Sequence, residues 1–367
     1  MARPAKAVIC RELNNPVVVE EITVDSPKRG EVMVKMTACG VCHSDLSATN
    51  GTIALPPPLI LGHEASGTVI EVGEGVTAVA AGDHVVSSFI YMCGKCRFCS
   101  MGRPVLCLEQ HKALVTPLEG TPRTRDHAGK PLGIFSGCGV MAEYATVSVE
   151  NVVKIDPLIP LESAALVGCA VTTGVGAVFN TAKVEPGSIV AVFGCGGVGL
   201  NAIQGAAIAG AERIIAIDTI AAKLEMAKKF GATETLLAKE GEDIAKALKK
   251  MTGGGPDYAF ECVGNGALAE AAYRAIRRGG KAVIVGVARP TESTSKPMTM
   301  VFEEKTLQGS YFGSCVPRID FPRMLQLSMA GKLKLDELIT RRYSIEEAPQ
   351  AFADLESGKN ARGVIVF

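Results

Sequence analysis

Four cysteines, Cys93, Cys96, Cys99 and Cys107, stand in the run CGKCRFCSMGRPVLC. Four thiolates at this spacing can wrap one tetrahedral Zn²⁺ and leave no coordination position open, which describes a structural site. Gly94, Gly102 and Pro104 supply the turns that a tight metal loop needs. A closed site does no chemistry, so a reactive centre must use other ligands. Cys42 in CGVCHSD, His63 in LGHEASG and Cys169 in VGCAVTTG are candidates. Two thiolates and an imidazole make a low-charge zinc centre with one position free for an alkoxide. Taken singly, Cys169 also reads as a small core residue and His63 as a polar turn residue. Spacing alone does not join residues so far apart in the chain.

A second chemistry lies further on. Gly194-Cys195-Gly196-Gly197-Val198-Gly199 fits G-x-G-x-x-G, follows the apolar strand Ile189 to Phe193, and opens a helix. Such glycines permit a tight turn, close approach to a pyrophosphate and close helix packing. The helix N-terminus offers N–H groups to phosphates. Asp218 ends the next strand, about 20 residues on, where an acid can bond the adenosine ribose. A 2′-phosphate would meet Asp218 as like charge, so the pattern favours NAD over NADP. Lys223 can reach the same ribose.

The elements that must position these residues fall into two patterns. Up to about residue 90, KAVICRE, PVVVEEITV, EVMVKMTACG, ASGTVIEVG and DHVVSSFIYM read as strands separated by Gly and Pro. From about residue 170, the strands SIVAVFG, RIIAID, DYAFECVG and KAVIVGV alternate with helices such as GVGLNAIQGAAIAGA and KLEMAKKFGA. That alternation implies a parallel, doubly wound sheet. At 367 residues, two domains are expected. The 38 basic and 38 acidic residues leave no electrostatic footprint for nucleic acid or an anionic membrane. No apolar stretch reaches membrane-spanning length, and the N-terminus lacks an apolar signal core, so a cytoplasmic protein is expected. There the 12 cysteines stay reduced, which favours metal binding or burial over disulfides.

Over essentially its whole length the chain resembles the zinc-containing medium-chain dehydrogenase/reductase family, and within it the zinc alcohol dehydrogenases. GVCHSD, Gly62-His63-Glu64, the four-cysteine loop, LVGCAVTTGVGA and GCGGVG occur in the family's order. The resemblance implies an α/β protein with a GroES-like, mostly-β catalytic domain and a Rossmann cofactor domain with a doubly wound parallel sheet. The cofactor domain, residues 171–313, would be inserted between catalytic segments 1–170 and 314–367, with the ligand trio beside the interdomain cleft. It implies two zincs per chain, a catalytic one on Cys42, His63 and Cys169 with Glu64 beside it, and a structural one. Asp45 would support the zinc histidine, and Ser44 would take the proton of the substrate alcohol before hydride passes to NAD. Arg362 matches a pyrophosphate-binding arginine, and Thr173, Val198, Val285 and Phe312 match positions around the nicotinamide. The family also implies a homo-oligomer, here a dimer, with KAVIVGV and the following ARPTESTSKPMTMVF as the candidate edge.

The chain departs from its relatives at instructive places. Ser47 stands where animal members carry a relay histidine, and His43 stands where a basic residue often contacts the pyrophosphate. The loop TNGTIALPPPLI holds no acid, and His111 replaces an arginine of the glutathione-dependent formaldehyde dehydrogenases. A hydrophobic primary alcohol, aromatic or allylic, is therefore the expected substrate, with Phe89, Leu55 and Tyr311 as apolar lining. A thiol-adduct formaldehyde dehydrogenase and a non-catalytic, zinc-stabilised binding module are the alternatives.

Overall fold

Alternating apolar residues in the first 170 positions build two β-layers, seen in the computed structural model, which describes residues 2–118, 120–288, 297–358 and 360–367. A closed barrel joins Arg3–Cys10, Val18–Val24, Thr124–Asp126, Pro131–Ile134 and Leu59–Ile60 in that order. A seven-stranded sheet runs Val152–Lys154, His84–Ser87, Ala65–Val72, Glu31–Val41, Arg362–Val366 and Ile339–Tyr343, with Tyr144–Ser148 also paired to Glu31–Val41. The long central strand serves different neighbours along its length. Glu31 to Lys35 pair with Tyr144–Ser148, whereas Ala38 to Val41 pair with the C-terminal strand. An irregularity between Met36 and Ala38 marks the change. Val8, Met36, Leu61, Val69, Phe135, Val140 and Ile365 share one buried cluster, and Ile9, Ile22, Ile60 and Leu132 share a smaller one.

A six-stranded sheet, ordered Glu234–Leu237, Arg213–Asp218, Ile189–Phe193, Tyr258–Glu261, Lys281–Ile284 and Thr306–Gly309, is parallel throughout. Its inner strands are short, mostly apolar runs, as burial on both faces requires. The helices Ile244–Thr252 and Gly266–Ala275 pack Leu248, Ala272 and Tyr273 against Phe193, Ile215 and Ala259. By chain contacts the molecule divides into one unit of residues 1–169, 316–331 and 335–367 and another of 170–315 and 332–334. The small excursion 332–334 joins the second unit through Gln204, whose side-chain amide exchanges two hydrogen bonds with the Lys334 backbone (3.1 and 2.8 Å).

Two local expectations change. The strand read in DHVVSSFIYM covers only His84–Ser87, because Ser88 turns to bond the Asn151 backbone at 2.8 Å. KAVIVGV is not an edge, since Lys281–Ile284 lies between Tyr258–Glu261 and Thr306–Gly309. The edge on that side is Thr306–Gly309, a four-residue strand too short and polar to stand out in the sequence. Residues 289–296 of the proposed edge segment lie outside the described residues.

Candidate metal centres and nucleotide site

The register of the central strand assembles the first centre. Cys39 pairs with Ala65, so Gly40 faces Glu64 and its N–H reaches the Glu64 carbonyl at 2.7 Å. A β-carbon on Gly40 would lie 2.6 Å from Glu64 Oε1, so glycine alone admits the carboxylate here. Gly363 pairs with Val41, which brings Arg362 alongside. Cys42 follows as N-cap of the helix His43–Thr49, and Asp45 sits in its first turn. Cys169 ends the first segment of the first unit, just after Gly168.

Asp45, fully buried, accepts hydrogen bonds from the Gly62 N–H at 2.8 Å and the Cys42 N–H at 3.3 Å, and lies 3.3 Å from His63 Nδ1. One carboxylate thus ties together the chain segments of two ligands. With Nδ1 turned to Asp45, His63 Nε2 remains buried and makes no hydrogen bond. Cys42, His63, Glu64 and Cys169 place one ligand atom each within 4.8 Å of one another, all buried, and the two sulfurs are 4.0 Å apart. Sulfurs on a tetrahedral zinc, at about 2.3 Å each, would be separated by slightly under 4 Å. The orphaned Nε2, the sulfur spacing and the soft donors fit a zinc ion. Ser44 Oγ lies 3.8 Å from Cys42 Sγ. Arg362 is buried, ion-paired to Glu64, with Nη1 3.5 Å from the Val41 carbonyl.

The buried side chains of this set are electrostatically coupled. The Cys169 thiol donates toward Cys42, and together with the nearby Arg362 and His63 this lowers the Cys42 thiol well below its usual range despite burial. The same shared proton raises Cys169. Burial opposes charge on His63, but Asp45 and Cys42 outweigh it and raise its proton affinity. Burial pushes the Glu64 carboxyl upward against the pull of Arg362. Phe89 and Phe135 stand perpendicular to the His63 ring at centroid distances of 5.5 and 5.3 Å. Sequence reading found Phe89 but missed Phe135, which no motif or spacing ties to His63.

Cys93, Cys96, Cys99 and Cys107 form the second centre, their sulfurs within 4.8 Å of one another. Backbone N–H groups of Cys93 and Glu109 point at Cys107 Sγ, both at 3.4 Å, and that of Cys96 points at Cys93 Sγ at 3.3 Å. Such donors stabilise thiolates. The N–H groups of Cys99 and Leu108 hold Cys96 down to about 6, while burial pushes Cys99 up to about 12. Four converging sulfurs with backbone donors also fit zinc.

In the second unit, Ile189–Phe193 leads into the glycine turn and the helix Gly197–Ile208. Gly194 has φ +89°, and a β-carbon on Gly199 would lie 1.8 Å from the Gly194 carbonyl oxygen. A β-carbon on Gly196 would meet nothing within 4 Å, so this residue borders open space at the helix start. That space beside N–H groups fits a dinucleotide pyrophosphate. Asp218 accepts from the Cys195 N–H at 2.8 Å and the Ile220 N–H at 3.0 Å, pinning the turn to its own strand end. Gly197, Val198, Lys223, Thr173 and Val285 are half-buried, whereas Phe312 is buried with φ +51°. His43 is exposed and Ser47 half-buried. Leu55 is half-buried, and Tyr311 belongs to the second unit and is exposed. Val263 and Val287, both exposed just past strand ends, escaped sequence reading, although apolar residues following a strand are a usable signal.

A family model described as alcohol dehydrogenase GroES-like domain matches residues 28–157, and one described as zinc-binding dehydrogenase matches residues 197–330. The chain is similar to an S-(hydroxymethyl)glutathione dehydrogenase of Synechocystis sp., with 41% identity over 98% of this chain and 99% of that protein. It is similar to an NDMA-dependent alcohol dehydrogenase of Amycolatopsis methanolica, with 41% identity over 98% of each. Among solved structures, a benzyl alcohol dehydrogenase from Acinetobacter calcoaceticus aligns with a TM-score of 0.92 at 31% identity, covering 100% of this chain and 99% of that one.

Proposed function

Because this chain belongs to the zinc-containing medium-chain dehydrogenase/reductase family, we propose that it is an NAD-dependent alcohol dehydrogenase acting on a hydrophobic primary alcohol, aromatic or allylic, and its aldehyde. The observation that carries this reading is the buried set Cys42, His63 and Cys169, with His63 Nε2 left without a partner. Cys42, His63 and Cys169 would hold the catalytic zinc, with Glu64 beside them. Zinc there supplies a Lewis acid that stabilises negative charge on a substrate oxygen. Asp45 fixes the histidine ring and leaves Nε2 for the metal. Ser44 Oγ, next to Cys42 Sγ, accepts the alcohol proton. Phe89 and Phe135 exclude water around His63 and offer an apolar wall to the substrate.

In the cofactor unit, Gly194, Gly196, Gly197 and Gly199 would cradle the pyrophosphate and Asp218 would take the ribose, with Lys223 nearby. Arg362 and His43 are assigned to the pyrophosphate, and Thr173, Val198, Val285 and Phe312 to the nicotinamide, on their match to the family. Twelve free cysteines, six of them in the two ligand sets, suit a reducing compartment such as the cytoplasm.

The similarity to an S-(hydroxymethyl)glutathione dehydrogenase keeps a second reading in play, oxidation of a thiol adduct of formaldehyde. The loop from Thr49 to Ile60 holds no carboxylate for a cationic tripeptide end, which favours the hydrophobic alcohol. The test combines metal analysis with a substrate panel under NAD. Two zincs per chain and turnover of benzyl or allylic alcohol are expected. One zinc, or turnover of formaldehyde only when a thiol is added, would overturn the proposal.

A further inference from the structure

We propose that Ser87 is a positioning residue for the catalytic zinc, setting the separation between the His63 and Cys169 segments; this rests on reading Cys42, His63 and Cys169 as zinc ligands. The strand His84–Ser87 pairs antiparallel with Ala65–Val72 through His84, Val85 and Val86 opposite Thr68, Gly67 and Ser66. Beyond Val86 the backbone ladder stops, and the Ser87 side chain takes over. Its Oγ accepts from the Ala65 N–H at 2.8 Å and donates to the His63 carbonyl at 3.1 Å. A hydroxyl can do both at once. These two bonds bracket the His63-Glu64 dipeptide. The flank opposite them is held by Asp45 on the Gly62 N–H and the His63 ring.

The other side of Ser87 abuts the third ligand's segment. A β-carbon on Gly168, the residue before Cys169, would lie 2.8 Å from the Ser87 carbonyl oxygen and 3.3 Å from Glu64 Cα. The chain after Ser87 is anchored in turn. Ser88 donates its N–H to the Asn151 carbonyl and accepts from Asn151 Nδ2, both at 2.8 Å. Ser87 is 4% exposed, so water does not replace its bonds. Among the described residues, its side-chain hydroxyl bonds the backbone of a ligand and of the residue two positions on. Removing the hydroxyl leaves a buried N–H and a buried carbonyl unpaired beside His63, and the ligand segment shifts to recover them.

Zinc release to 4-(2-pyridylazo)resorcinol tests this on the zinc-loaded protein. Wild type is expected to show two kinetically distinct zincs. In Ser87→Ala one of them should be bound about 10- to 100-fold more weakly, the usual scale for groups that orient a metal ligand, and the other should be unchanged. Ser87→Thr, which keeps the hydroxyl, should restore the wild-type behaviour. Gly168→Ala, which presses on the Ser87 carbonyl, should reproduce the selective loss by an independent route. Unchanged release from both Ser87→Ala and Gly168→Ala would overturn the inference, as would equal weakening of both zincs with a lowered melting temperature. A wild-type chain that binds a single zinc would instead overturn the reading of the site on which the inference rests.

Discussion

Ser44 and Cys42 are separated by one residue, yet their substitution should have different consequences. Ser44 Oγ is half-exposed at 3.8 Å from the Cys42 sulfur and takes no part in the ligand set. Ser44→Ala should lower kcat by about 10²- to 10⁴-fold, the scale of general acid–base catalysis, with both zincs retained. Steady-state kinetics with metal analysis checks this, and a wild-type kcat would remove Ser44 from the proton path. The cysteines divide in the same way. Cys42→Ala should abolish turnover with little change in melting temperature. Cys96→Ala should lower the melting temperature, because a structural zinc contributes folding energy directly. Equal melting curves for Cys96→Ala and wild type would sink that division of roles.

Two strand-end elements in the cofactor unit carry sharper demands than their sequence motif states. Gly199 is the first buried residue of the helix Gly197–Ile208, and its missing β-carbon lets the Gly194 carbonyl approach. Gly199→Ala must displace backbone rather than a flexible side chain. A loss of about 1–3 kcal/mol in stability is expected, together with weaker NAD binding. Thermal melting and calorimetric titration with NAD measure both effects, and an unchanged melt would contradict the close contact. Asp218 serves its turn as well as any ribose, since it accepts from the Cys195 and Ile220 N–H groups. Asp218→Ala should weaken NAD binding by about 1.5–3 kcal/mol and narrow the preference over NADP. If the ratio of NAD to NADP efficiencies stays put, Asp218 acts on the turn alone.

At the scale of the molecule, the cofactor sheet leaves Thr306–Gly309 at an edge with one neighbour, and the helix Pro297–Phe302 exposes Met298, Val301 and Phe302 shortly before it. An edge with no second neighbour among the described residues, and exposed apolar side chains shortly before it in the chain, need cover. A twofold-related copy would provide it by a self-complementary contact. Light scattering at low micromolar concentration should therefore report a dimer, and Phe302→Glu should shift the population toward 38.3 kDa. A wild-type mass already at that value would reject association.

The sequence by itself marked the four-cysteine loop and the nucleotide turn, and offered Cys42, His63 and Cys169 only one by one. These residues sit in short local motifs, CGKCRFC, GHE and GCGGVG, whose chemistry depends on residue type and nearby spacing. It also determined the parallel sheet, because doubly buried strands must be continuous apolar runs. Only the tertiary structure decided which distant residues share a site. Cys42 and Cys169 are joined because the register of Glu31–Val41 and the packing of Gly168 on Ser87 bring their segments together. Arg362 reaches Glu64 because the C-terminal strand pairs beside Val41. Phe135 and Ser87 carry no local signature, since a phenylalanine or a serine becomes part of a site through its neighbours alone. The edge strand Thr306–Gly309 stayed hidden for the same reason: four exposed or half-exposed residues lack periodicity, and their strand conformation comes from the ladder with Lys281–Ile284.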